Sequence, residues 1–198
     1  MFCTKCLRHL RKLVMIVTKF NTFEPQPRDL WRTTDPNAFP PLIPYIQGKT
    51  YAEPCYGAGD LEKGIGAYAL CDWRSDIKPQ SNKALQKNAV FLTKRDVEHC
   101  DYIVSNPPFS FAMLQPLLDH LPTLKPTWLL LPADFMHNRQ SRGYMDRCSL
   151  MVSVGRLFFH KGGEDANVVK YSRGTANNCW YLFHPEPCET KFVGWVSK

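Results

Sequence analysis

The residues whose types and spacing could do chemistry stand where short apolar runs give way to loops. The sharpest case is Ser105-Asn106-Pro107-Pro108-Phe109, which closes the run Tyr102 to Val104. A residue ahead of proline is pushed out of the helical region, so Asn106 and Pro107 both stay extended past the strand end. Neither Pro107 nor Pro108 carries an N–H that could occupy the neighbouring acceptors. The expected result is a rigid spur presenting the Asn106 side-chain oxygen and the Pro107 carbonyl side by side, with Phe109 beyond them as a flat face. Such a pair of acceptors grips a planar amine. An exocyclic amine on a base or an amide is a poor nucleophile because its lone pair is delocalised. Holding both of its hydrogens favours the pyramidal, reactive form and stabilises the positive charge that develops. Phe109 would stack on the ring and fix its orientation. A neutral Asn suffices, since an alkylated amine loses its proton readily.

A second constellation lies upstream, in Glu53-Pro54-Cys55-Tyr56-Gly57-Ala58-Gly59-Asp60. Two glycines one residue apart let the backbone turn sharply after a strand and keep side chains from between it and a ligand. No Lys-Ser or Lys-Thr follows, so a phosphate-cradling loop is not expected, and Glu53 would repel a pyrophosphate while suiting a ligand that carries an ammonium. Nineteen residues after Glu53 stands Asp72, followed by Trp73. An acid at the tip of the second strand of a doubly wound sheet accepts hydrogen bonds from ribose hydroxyls, and an aromatic beside it stacks on adenine. The competing reading has Asp72 capping a turn and Trp73 plugging the surface. Together these signals describe a pocket for an adenosine without a polyphosphate.

The elements that must position these residues are short. Seven strand candidates follow one another at 51–54, 66–73, 89–92, 101–106, 127–132, 154–159 and 179–184. The middle ones are near-continuous apolar runs, as in a parallel sheet covered on both faces. Helices are expected at 82–88 and at 110–121, where Pro116 must kink or restart the turn. The last two strands, joined by the Gly-bearing charged stretch 160–176, read as a long hairpin. The proline-rich lead-in 23–45 should hold at most a short helix, capped by Asp35 with Pro36 in the first turn. The fold class is therefore α/β: a doubly wound, mostly parallel seven-stranded sheet, Rossmann-like, with a C-terminal antiparallel hairpin. Residues 1–22 form a basic arm expected to be flexible, and 23–198 a single domain.

Composition sets the remaining bounds. The 198 residues carry 25 Lys and Arg against 18 Asp and Glu, a net charge of +7 that suits a polyanionic partner. No window has the length and apolarity of a membrane span, and no secretory leader is evident. The 8 cysteines are scattered through core-like segments and read as free thiols of an intracellular protein. The pair Cys3 and Cys6 lacks a second close pair, and His99, His120 and His160 lack partners at ligand spacing, so no metal is expected.

The succession E-P-C-Y-G-A-G-D, C-D-W and S-N-P-P-F resembles the S-adenosylmethionine-dependent amino-methyltransferases, above all the small phage and bacterial DNA adenine-N6 methyltransferases. The resemblance spans roughly residues 28 to 184 and is most specific at N-P-P-F. It implies a class I methyltransferase fold in the cytoplasm of a bacterial or phage-infected cell, with S-adenosylmethionine as methyl donor, S-adenosylhomocysteine as product and the N6 of a flipped adenine in DNA as target. It further implies that Glu53, Pro54, Cys55, Gly57, Gly59 and Asp60 wrap the methionine part of the cofactor. Asp72 would hold the ribose, and Trp73 the adenine edge. Asp96 of T-K-R-D stands for the acid after the third strand. Trp31 and Thr33 fall in an N-terminal cofactor-contact segment with an extra residue or two inserted. Tyr56 departs from the alanine often found there. Asn106 to Phe109 would carry catalysis, with Asn106 also near the cofactor. Methylation of RNA or of a protein glutamine, and a non-catalytic cofactor-binding subunit, are the rival readings. With no room for a recognition domain, nucleic acid would be read by Asn138, Arg139 and Arg142 after the fifth strand. Lys170 and Arg173 of the hairpin would join them, although a merely solvated loop is an equal reading there.

Overall fold

A computed structural model describes residues 31–161 and 172–194. In chain order the strands are β1 (Trp31–Arg32), β2 (Thr50–Glu53), β3 (Leu70–Asp76), β4 (Leu85–Gln86), β5 (Tyr102–Ser105), β6 (Thr127–Pro132), β7 (Cys148–Lys161), β8 (Ser172–Phe183) and β9 (Lys191–Val193). They form one sheet in the order β1-β7-β8-β6-β5-β2-β3-β4, with β9 added alongside β7. The five strands from β6 to β4 are mutually parallel, and β8 runs antiparallel between β6 and β7. The order reverses at β2, which has β3 on one side and β5 on the other. Ligands of open α/β sheets bind outside the carboxyl ends of the strands at such a reversal. The loops that begin at Glu53 and Asn106 leave from these two ends.

The apolar runs explain the layers. From Thr127 to Leu131 every residue of β6 is buried, as a central strand covered on both faces requires. Its side chains alternate: Trp128 and Leu130 join a core with Phe39, Leu42, Ile46, Leu61 and Ile65, whereas Leu129 and Leu131 join Leu114, Leu118, Tyr181 and Phe183. The first face is closed by the lead-in, α1 (Ile43–Ile46) and α2 (Asp60–Ile65). The second is closed by α3 (Phe111–His120), which continues through Pro116. Asp35 caps the turn Pro36–Ala38 as expected, its carboxylate accepting from Asn37 N at 2.9 Å.

Three expectations shift. The third strand begins at Leu70 and ends at Asp76, some three residues later than 66–73. The cause is α2, which runs to Ile65 and ends at Gly66, after which Tyr68 and Ala69 still bond back to the Ile65 carbonyl. The run 89–92 is a 3-10 turn, Ala89–Phe91, capped by the Asn88 side chain, which accepts from Val90 N at 3.1 Å. The strand at that edge is instead β4, inside the expected helix 82–88. Short apolar runs do not separate these states by period alone. Six of the seven expected runs are strands, and β1, β4 and β9 come in addition to them. The basic arm lies outside the described residues, and no helix among those described is long and apolar enough to cross a membrane.

Candidate active site

One cleft collects the loops at the carboxyl ends of β2, β3, β4 and β5, closed from above by Arg32 and Thr33. On the β2 side the chain leaves the strand at Glu53 and turns through Gly57 and Gly59, whose φ angles of 52° and 78° are left-handed. At Gly59 a Cβ would lie 2.4 Å from the Tyr56 hydroxyl oxygen, so glycine is required twice over. The loop is then tied to β3. Gly57 N and Lys78 N each donate to the Asp76 carboxylate at 2.8 Å, one to each oxygen. Burial raises the Asp76 pKa above the ordinary carboxylate value, although both backbone bonds work against that.

Two ion pairs brace this loop. Arg74 Nε and Nη2 donate to Glu62 at 2.9 and 2.6 Å, and the Tyr56 hydroxyl donates to the same carboxylate at 2.5 Å. The Arg74 hydrogen bonds hold Glu62 at about 2, against the opposing effect of burial. Arg32 grips Asp60 with Nε and Nη2 at 2.7 and 2.8 Å. Burial pushes Asp60 up, and the hydrogen bonds and charge of Arg32 outweigh it, leaving that carboxyl below its usual range. Among the described residues Glu53 has no such brace. It is 2% exposed, and no hydrogen bond from the described residues reaches its Oε2. Burial first, then the charges of Glu62, Asp60 and Asp76, drive its pKa well above the carboxylate norm.

Across the cleft, β5 ends in the spur. The Asn106 amide donates from Nδ2 to Thr33 Oγ1 at 2.8 Å, linking two segments 73 residues apart. Pro107 is buried and Pro108 lines the cleft. The Phe109 ring meets Phe159 of β7 edge-on, with centroids 5.7 Å apart at 86°. An edge-to-face partner holds the ring in place.

The structure thus brings Thr33, Glu53, Pro54, Cys55, Gly57, Asp60, Asn106 and Pro108 into one lining, with Gly59 shaping the loop beneath. Others fall elsewhere. Asp72 is exposed on β3, four residues before its end, and does not line the cleft. Trp73 is half-buried against a cluster that includes Ala52, Leu92, Val97 and Ile103, its Nε1 donating to Ser75 Oγ at 3.3 Å, with Lys87 Nζ 5.6 Å from its ring centre. The later start of β3 hands the tip position to Asp76. Asp96 accepts from Lys87 Nζ at 2.6 Å and from Thr93 N at 2.7 Å, bracing its own turn outside the lining. Asn88, Ala89 and Val90 take the cleft position after β4. Trp31 sits on β1 opposite Lys161. Asn138, Arg139 and Arg142 are exposed on the segment that leaves the carboxyl end of β6, in the turn Arg139–Ser141 and in α4 (Arg142–Met145). Arg173 is on β8 opposite Phe158, and Lys170 lies outside the described residues. Sequence reasoning missed Arg32, Glu62, Arg74, Asp76 and Asn88; an N-cap residue ahead of Ala89 was the available sign for the last.

No protein-family model and no curated protein matches the chain. Solved structures do. A proposed RNA methyltransferase from Pyrococcus horikoshii superposes with a TM-score of 0.52 at 12% identity, over 75% of this chain and 81% of that one. The fold is that of the class I methyltransferases. A dimethyladenosine transferase from Plasmodium falciparum gives a TM-score of 0.49 at 15% identity, over 78% of this chain and 63% of that one. In the class I methyltransferase fold seen here, the cleft sits at the reversal between β2 and β5, and the β7–β8 hairpin extends the far side of the sheet.

Proposed function

We propose that this chain is an S-adenosylmethionine-dependent N-methyltransferase acting on the N6 of adenine in DNA. The observation that carries the reading is that Asn106 and Pro108 of the N-P-P-F spur and most of the Glu53 to Asp60 loop, distant in sequence, line a single cleft at the switch point of the sheet. The cleft fits the cofactor. The orphaned Glu53 oxygen suits an ammonium, the Gly57 turn lets the ligand approach backbone, and Asp76 keeps lone pairs for ribose hydroxyls beyond its two backbone bonds. Asn88 and Val90 flank the far end, where an adenine would lie.

When bound, S-adenosylmethionine supplies an electrophilic methyl group on a sulfonium. The chain's own residues supply the rest. Asn106 and the Pro107 carbonyl accept the two hydrogens of the target amine and favour its pyramidal form. Phe109, braced by Phe159, orients the ring. No base of shifted pKa is needed to carry off the proton of the alkylated amine. An adenine inside a duplex is out of reach of this cleft, so the base is flipped into it, with Arg139, Arg142, Lys170 and Arg173 on the phosphates. The net charge of +7 supports such a partner, and the thiol-rich composition suits the cytoplasm of a bacterial or phage-infected cell.

RNA is the second reading, because the Pyrococcus horikoshii neighbour is described as an RNA methyltransferase. Mass spectrometry of nucleosides from cells expressing the wild-type chain or Asn106→Ala tests the choice. N6-methyladenine in DNA, present only with the wild type, is expected; methylated adenosine confined to RNA would move the substrate to RNA.

A further inference from the structure

The acids of the cleft are not equally served. Asp60 is met by Arg32 and, at 3.4 Å, by Lys63. Glu62 is met by Arg74 and Tyr56, and Asp76 by two backbone N–H groups. Glu53 is the most buried of the four, and none of the ion pairs among the described residues includes it. The charged groups facing it are Asp60 and Glu62 from α2, and Asp76 and Arg74 from β3. Arg74 spends its guanidinium on Glu62, and Arg32, on the same cleft, spends its own on Asp60. Lys78 stands on the exposed side of the lining. A carboxylate taken out of water among like charges neutralises by holding its proton. An incoming ammonium reverses that balance, since it offers the missing counter-charge and the missing donor together.

We propose that Glu53 rests as a neutral carboxylic acid in the empty cleft and ionises when an α-ammonium group enters, so that loading the cofactor expels about one proton to solvent. The O–H bond of the Glu53 carboxyl breaks, the proton passes to the buffer, and the carboxylate left behind pairs with the ammonium. Burial and the surrounding carboxylates both favour the neutral resting form. The inference rests on the cleft being the S-adenosylmethionine site. It adds a selectivity: ligands that lack the ammonium leave the proton in place.

Titration calorimetry of the full chain with S-adenosylhomocysteine at pH 6.5, in buffers of differing ionisation enthalpy, reads the proton count as a slope. A slope near one proton released is expected for the wild type. A slope near zero is expected with 5′-methylthioadenosine, which keeps the adenosine and thioether but has no ammonium, and with Glu53→Gln. Binding of S-adenosylhomocysteine with no slope would overturn the proton coupling and leave the cofactor reading standing. Absence of binding would overturn both. An undiminished slope in Glu53→Gln would refute the assignment to Glu53. Thermal unfolding of the empty protein gives an independent arm. The folded chain keeps Glu53 neutral while the unfolded chain ionises above its ordinary pKa, so wild-type stability falls as pH rises from about 4.5 toward the folded value. Glu53→Gln lacks that loss, and its melting temperature should gain on the wild type between pH 5 and pH 7. A constant difference would overturn the proposal.

Discussion

Replacing Gly59 by alanine should damage the cleft through two separable costs. The φ of 78° at Gly59 is left-handed, which an L residue occupies at about 1 to 2 kcal/mol. The added Cβ would also lie 2.4 Å from the Tyr56 hydroxyl oxygen and 2.6 Å from its ring carbon Cζ, so the ring must move. Moving it breaks the 2.5 Å bond to Glu62, a hydrogen bond to a charged group worth about 1.5 to 3 kcal/mol. The sum for Gly59→Ala is roughly 2.5 to 5 kcal/mol, expressed in unfolding and in weaker S-adenosylhomocysteine binding. In a Tyr56→Ala background there is no ring to displace, so the second Gly59→Ala step should cost only the backbone share, about 1 to 2 kcal/mol. Denaturant unfolding of the four proteins of the cycle measures the coupling. Strict additivity, or a single Gly59→Ala variant within about 0.5 kcal/mol of wild type, would refute the claim that Tyr56 dictates the glycine.

Asp76→Ala should weaken S-adenosylhomocysteine by roughly 1.5 to 3 kcal/mol in calorimetry, while Asp72→Ala leaves the dissociation constant unchanged; the reverse ranking would return the ribose to Asp72. Glu62 is held at about 2 by Arg74, below its ordinary value, so its stabilising effect is complete above about pH 4.5 and disappears as pH falls toward 2. Glu62→Gln should therefore lose more melting temperature relative to wild type at pH 7 than at pH 2.5, and an equal loss at both would contradict the pairing. Arg139→Ala with Arg142→Ala should raise KM for DNA and flatten the salt dependence of binding without touching cofactor affinity. An unchanged salt slope would place recognition elsewhere.

What the sequence disclosed depended on how strongly each segment was constrained locally. The run Trp128 to Leu131 has no polar interruption and suits a strand covered on both faces, and the two prolines after Asn106 force an extended spur wherever they occur. The Asp35 cap was equally legible, because capping is chemistry within three residues. The misplaced acid shows the opposite case. Gly66, Ala67 and Tyr68 read as the start of a strand by composition, whereas α2, pinned by Leu61 and Ile65 in the core, continues far enough to push the strand three residues on. Only tertiary packing decides that, and it moved the tip from Asp72 to Asp76. The Asn106 to Thr33 and Arg32 to Asp60 bonds span 73 and 28 residues, distances over which residue spacing carries no signal.

The central claim is that this cleft carries a methyl group to an exocyclic amine. Incubation of the purified chain with S-adenosylmethionine bearing a trideuterated methyl group, and with unmethylated DNA and RNA in separate reactions, tests it directly. Nucleoside mass spectrometry should find the deuterated methyl on N6 of deoxyadenosine. Asn106→Ala should lower the rate by the equivalent of about 2 to 4 kcal/mol while S-adenosylhomocysteine still binds. Deuterated methyl on no nucleoside of either polymer, or equal transfer by Asn106→Ala, would contradict the account.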